Sequence, residues 1–64
     1  MNLNIFILKS LMAKNRITGA ELSRRSGLTR ATVSLIMARG TCNVVSAGKI
    51  ADALGVPVEI IAAS

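Results

Sequence analysis

The strongest constraint on the fold is a pair of helix signals that lie only two residues apart. Gly27 is suited to the left-handed conformation that ends a helix, and Thr29 offers a side-chain oxygen to the free N–H groups that begin the next one. Thr18 is a second N-cap residue, and Glu21 three positions later predicts a reciprocal capping box. Two short helices joined by a tight turn that contains glycine form a helix-turn-helix unit.

Similar signals predict three further helices. Leu8 and Met12 have helical spacing near the N-terminus, Asn43 caps a fourth helix that Gly55 ends, and Pro57 suits the first turn of a short fifth helix. Apart from an ambiguous stretch at residues 4–8, no convincing strand pattern is present. The sequence therefore predicts an all-α, compact five-helix fold in a single domain over residues 1–64, with helices at about 3–14, 19–26, 30–38, 44–54 and 57–62.

The composition excludes catalytic and metal-binding classes of protein. The chain has no histidine, tyrosine or tryptophan, and its three carboxylates do not form a catalytic pattern. Its one cysteine, Cys42, cannot form an internal disulfide, and the common zinc sites need several cysteines and histidines. We therefore expect no enzyme activity, metal, cofactor or small-molecule ligand. The lack of disulfide potential favours a cytoplasmic location.

A basic charge balance points to a polyanionic partner. Eight Lys and Arg residues against three acids give a net charge of +5. Phe6 is the one aromatic residue, which argues against single-strand binders that stack bases on aromatic rings. The apolar run at residues 5–8 is interrupted by Lys9 and is far shorter than a membrane span of about 20 residues. Duplex nucleic acid is thus favoured over a membrane surface.

The third helix has two distinct faces. Val33 and Ile36 have the spacing of core residues, whereas the other side carries one cation and small or apolar side chains. No acid occurs between Glu21 and Asp52, so such a helix suits the major groove of DNA. Periodicity alone is equally compatible with an ordinary surface helix that exposes one leucine. The outer face comprises Arg30, Ala31, Ser34, Leu35 and Ala38.

The sequence resembles the Cro and phage-repressor type of helix-turn-helix regulators, the lambda repressor-like family. The residues that carry the resemblance lie at 20–23, 26–29, 32–34 with Ile36, 49–56 and 58–61, so it covers residues 8 to 61. The family implies a five-helix domain that binds a double-stranded DNA operator as a homodimer. It also implies a transcription regulator, here a Cro-like repressor of phage, prophage or mobile-element type that acts by occupying its operator.

The resemblance also implies roles for individual residues. Arg30, Ala31 and Leu35 match the family's base-contacting positions, and Ser34 on the same face can contact a base or a phosphate. Matching positions near phosphates are Thr18, Gly19, Thr29 and Thr32, and we add the flanking cations Arg16 and Arg39.

The chain departs from the family at the start of the second helix, where Gly19 replaces a frequent glutamine that supports the first base-contacting residue. Val56, Pro57 and Ile60 are candidates for a dimer interface, and Phe6 belongs to a competing one. The alternative function is a protein-interaction module, such as an antitoxin or anti-repressor, that retains the fold without contacting bases.

Overall fold

The computed structural model describes residues 1–63 and confirms the all-α prediction. The boundaries of the second and fourth helices are as predicted, and the third helix extends one residue further. The helices are α1 (Ile5–Lys14), α2 (Gly19–Ser26), α3 (Arg30–Arg39), α4 (Val44–Leu54) and α5 (Val58–Ile61).

The first and last helices are shorter than predicted. α1 begins at Ile5 because the Asn4 side chain caps it, accepting a hydrogen bond from the N–H of Ile7 at 3.0 Å. α5 begins after Pro57, which has an extended conformation with ψ of 148° and forms the N-cap position without a side-chain hydrogen bond. The structure thus differs from the approximate predicted bounds 3–14 and 57–62 by one or two residues.

The first four residues form short antiparallel contacts on both sides. The N–H of Leu3 donates to the Gly40 carbonyl at 2.8 Å, and the N–H of Asn4 donates to the Ile61 carbonyl at 2.8 Å. This segment connects the end of α3 to the end of α5, and Leu3 belongs to it and not to α1. Isolated bridges pair Asn2 with Thr41 and Leu3 with Ala62.

Side-chain caps begin α2, α3 and α4, as predicted. Thr18, Thr29 and Asn43 each accept a hydrogen bond from the backbone N–H three residues later, at 3.2, 3.1 and 2.7 Å. Gly27 has φ of 78°, a left-handed conformation that a side chain rarely adopts, and it ends α2 as predicted.

The predicted capping box at α2 forms only in part. Thr18 accepts from the Glu21 N–H, but the Glu21 carboxylate binds Arg24 and Arg25 one turn further along the helix. Within residues 1–63 the reciprocal bond from Glu21 to the Thr18 N–H is absent. Two nearby guanidinium groups attract the carboxylate more strongly than one neutral N–H group does.

One cluster of aliphatic side chains forms the core. α2 packs against α3 and α4, while α5 packs against α4 and α1. Among the described residues, no helix is long and apolar enough to span a membrane. The buried hydrophobic residues are Leu3, Leu8, Met12, Ile17, Leu22, Val33, Ile36, Ala47, Ile50, Ala51, Leu54 and Ile61.

Candidate nucleic-acid interface

Hydrogen bonds between side chains and backbone hold the turn between α2 and α3. The Ser23 hydroxyl donates to the Leu28 carbonyl, and the Ser26 oxygen accepts from the Leu28 N–H at 3.2 Å. Because both polar groups of Leu28 are bonded to α2, the direction in which α3 leaves the turn is fixed. Gly27 supplies the left-handed residue that the turn requires.

α3 presents its predicted outer face to solvent. Val33 and Ile36 are buried on the opposite side, so the helix is held by its inner face alone. Leu35 is 52% exposed on this face. The exposed residues of the helix are Arg30, Ala31, Ser34, Leu35, Ala38 and Arg39.

The start of α3 offers several hydrogen-bond donors. The Thr29 hydroxyl accepts from the Thr32 N–H and donates to the Thr32 hydroxyl at 2.9 Å, which leaves the Thr32 hydroxyl proton available. The N–H groups of Arg30 and Ala31 lie in the first helical turn, where no intrahelical partner exists. Such groups favour an anion, as does the helix dipole.

The start of α2 resembles the start of α3, with a threonine cap, but its first helical residue is glycine where α3 has Arg30. Thr18 is exposed and caps the helix, and Gly19 is half-buried at the first helical position. A Cβ atom added to Gly19 would meet no atom within 4 Å, so glycine is not required there by packing. Arg16, in the preceding turn, is exposed and has φ of 56°, an uncommon left-handed conformation for a residue with a side chain.

Glu21, the one acid of the helix-turn-helix unit, does not neutralise the positive charge of α3. Glu21 forms ion pairs with Arg24 and Arg25 on α2. The hydrogen bond from Arg25, together with the positive charges of both arginines, holds the pKa of the Glu21 carboxyl below its ordinary value. Over residues 1–63, Arg30 and Arg39 take part in no ion pair. The outer face of α3 therefore keeps its positive charge.

An open cleft of about 270 Å³ lies beside α3 and was not predicted. Thr32, Leu35, Ile36 and Arg39 form its α3 wall. The other wall comes from the connection to α4 and its first turn, and no sequence signal places that wall against α3. Its residues are Thr41, Cys42, Asn43 and Ser46. Burial raises the pKa of the Cys42 thiol.

The two candidate dimer surfaces lie on α5 with the turn before it and on α1, and a backbone hydrogen bond joins α5 to the residue that caps α1. Pro57 is exposed and Ile60 is 47% exposed, whereas Val56 packs in part against the core of its own chain. Phe6 is 80% exposed, close in sequence to Asn4, whose N–H bonds to the Ile61 carbonyl.

No group of three or more Cys, Asp or Glu side chains that could hold a metal ion occurs within the described part of the chain. The site consists instead of an exposed, positively charged helix fixed by a short turn. This combination of fold and surface defines a helix-turn-helix DNA-binding domain.

A comparison with protein families identifies the family itself. The family model of the Cro/C1-type HTH DNA-binding domain matches residues 8–61, and the chain belongs to this family. The match confirms the family resemblance that the sequence carries. No curated protein and no solved structure shows significant similarity to the chain.

Proposed function

We propose that this protein is a sequence-specific transcriptional repressor of the Cro-like kind, of phage, prophage or mobile-element origin. It acts by occupying an operator and so denying the promoter to polymerase. The exposed outer face of α3 carries this proposal, because it combines an unpaired arginine with small side chains and no acid. A helix with these properties fits the major groove.

The proposed base contacts are Arg30, Ala31, Ser34 and Leu35. Arg30 lies in the first turn of α3, next to the donors at the helix N-terminus, so its guanidinium reaches base edges while those donors bind a phosphate. A guanidinium can donate two hydrogen bonds to the O6 and N7 atoms of guanine. The Ser34 hydroxyl lies one turn further along the same exposed face.

Phosphate contacts are proposed at both helix N-termini. Thr18 and Gly19 serve one phosphate, and Thr29 and Thr32 serve another through the free hydroxyl and N–H donors described above. The guanidinium groups of Arg16 and Arg39 are exposed on either side and supply charge. These contacts fix the orientation of α3 and are independent of base sequence.

A homodimer is part of the proposal because one α3 helix covers only a few base pairs. Two-fold related copies contact half-sites about 34 Å apart along the duplex. Pro57 and Ile60 are the favoured contact, with Val56 at its edge, and their exposed apolar surface supports this choice. Sedimentation on and off DNA tests it: Ile60→Glu should abolish the dimer, while Phe6→Glu, which adds the same charge at the competing surface, should not.

Selection from random DNA duplexes followed by a salt titration tests the function. We expect a consensus with two-fold symmetry and binding that weakens steeply with salt, with a slope of about 0.9 per phosphate contact. Arg30→Ala should cost about 1–3 kcal/mol and relax the preference at one base pair per half-site. The matched control is Arg24→Ala, because Glu21 already binds that guanidinium.

A protein-interaction module, such as an antitoxin or anti-repressor, is the second candidate, favoured by the exposure of Leu35 and Phe6. This candidate predicts binding without a preferred DNA sequence, and that result in the selection experiment would contradict the repressor proposal. An equal loss of affinity on all sequences for Arg30→Ala would instead assign Arg30 to a phosphate contact.

A further inference from the structure

Leu35 is the largest apolar group on the outer face of α3. Its neighbours one turn before and one turn after are Ala31 and Ala38, which are also exposed. We call these three residues the apolar strip. Because both neighbours end at Cβ, the Leu35 side chain extends beyond them toward whatever faces the helix. Nothing in the core requires a leucine at this position, since 52% of its surface is exposed.

The chemistry of the apolar strip limits what it can distinguish on a base pair. Leucine and alanine side chains have no hydrogen-bond donor or acceptor, so they cannot tell the O4 atom of thymine from the amino group of cytosine. In the major groove, the apolar feature of a base edge is the C5-methyl group of thymine. 5-Methylcytosine carries the same methyl at the same ring position.

We propose that Leu35 recognises a pyrimidine C5-methyl group and not the base that carries it, so that thymine and 5-methylcytosine are accepted alike. This inference rests on the proposed function, since it requires α3 to lie in the major groove. It adds a specific consequence: cytosine methylation at that position of the operator strengthens binding.

The space around Leu35 allows this contact. Leu35 forms part of the open cleft beside α3, so a methyl group can approach it without displacing protein atoms. Arg39 and Thr32, both proposed above as phosphate contacts, border the same space. The other exposed residues of this lining are polar, so Leu35 supplies its exposed apolar contact.

The expected effect follows from the size of one methyl group. Burying one such carbon changes an equilibrium constant by about fourfold. We therefore expect an operator with one thymine replaced by uracil, which lacks only the methyl, to bind about fourfold more weakly per half-site. Replacing the same T·A pair by 5-methylcytosine·G should restore the affinity, and cytosine·G should not.

The experiment measures binding of the full chain by fluorescence anisotropy to a selected operator in which each thymine is replaced by uracil in turn. At a sensitive position, Leu35→Ala should remove the difference between methylated and unmethylated pyrimidines. Val45→Ala, which shortens another exposed aliphatic residue on α4, should preserve it. Both substitutions are on the surface, and circular dichroism verifies that the variants are folded.

Each outcome separates the inference from the function on which it rests. If binding is sequence-specific and Arg30→Ala relaxes one base pair, yet no uracil substitution weakens binding, the methyl inference is wrong and the repressor proposal stands. A methyl effect that persists in Leu35→Ala also overturns it, because another residue then makes the contact. If the chain prefers no DNA sequence, both proposals fall together.

Discussion

Replacing Gly19 by glutamine tests whether a longer side chain at the start of α2 adds a contact to DNA without disturbing the fold. Gly19 is the first residue of α2, its φ is not positive, and a Cβ at this position meets no atom within 4 Å. The family resemblance implies a frequent glutamine at this position. We therefore expect Gly19→Gln to fold without strain and, if the proposed function holds, to place its amide near the phosphate proposed at the start of α2.

The stability change follows from helix propensity. Glycine costs about 0.5–1 kcal/mol relative to alanine inside a helix, and glutamine is nearly as favourable as alanine. Because Gly19 is at the end of the helix, we expect a gain at the lower end of this range, about 0.5 kcal/mol. For a domain of this size, such a gain raises Tm by about 2–4 °C.

The affinity change separates the side-chain amide from the backbone. One hydrogen bond to a phosphate at an exposed site should contribute about 1 kcal/mol, or about fivefold in Kd. Gly19→Ala is the matched control, because it gives the same stability gain without an amide. Thermal unfolding and fluorescence anisotropy on one operator measure both effects. Equal affinity of the Gln and Ala variants, or a lower Tm for both, would refute the reasoning.

Three further substitutions test the turn, the core and the ion pairs. Ser23→Ala removes the donor to the Leu28 carbonyl and should lower the free energy of unfolding by about 1 kcal/mol in urea titrations; no change would mean that water replaces the hydroxyl. Leu22→Ala, at a fully buried side chain, should cost about 2–5 kcal/mol, against less than about 0.5 kcal/mol for the exposed Leu35→Ala. Since the pKa of Glu21 is lowered on folding, its ion pairs stabilise the fold above the ordinary pKa of 4.5 and lose this effect as the pH falls through the lowered value. Glu21→Gln should therefore be less stable than the natural protein at neutral pH and equally stable in strong acid, and an equal difference at both pH values would contradict the ion-pair assignment.

Local signals in the sequence predicted most of the helix-turn-helix unit. A cap depends on one side chain and a backbone N–H three residues away, so Thr18, Thr29 and Asn43 could be assigned without knowledge of the fold. The burial of Val33 and Ile36 follows similarly from helical periodicity. The assignment of bases and phosphates to individual residues of α3 remains a prediction.

At two places the prediction from local signals is wrong because other partners take part. Glu21 was expected to cap the Thr18 N–H, but Arg24 and Arg25 offer charged donors on the same helix face. Leu3 is predicted to begin α1, but it belongs to an extended segment that pairs with distant Gly40, and Asn4 caps the helix after it. In both cases the local structure is decided by a partner that the local pattern does not include.

The sequence by itself determined where the chain turns, which face of each helix is apolar and that α3 carries no acid, because these properties depend on neighbours within one or two helical turns. Only the tertiary structure decided which distant segments meet. It placed the N-terminal segment between the ends of α3 and α5, packed Val56 partly into its own core, and brought the first turn of α4 beside Leu35 to form a cleft. Such contacts join residues far apart along the chain, and they arise from the packing of all the helices together.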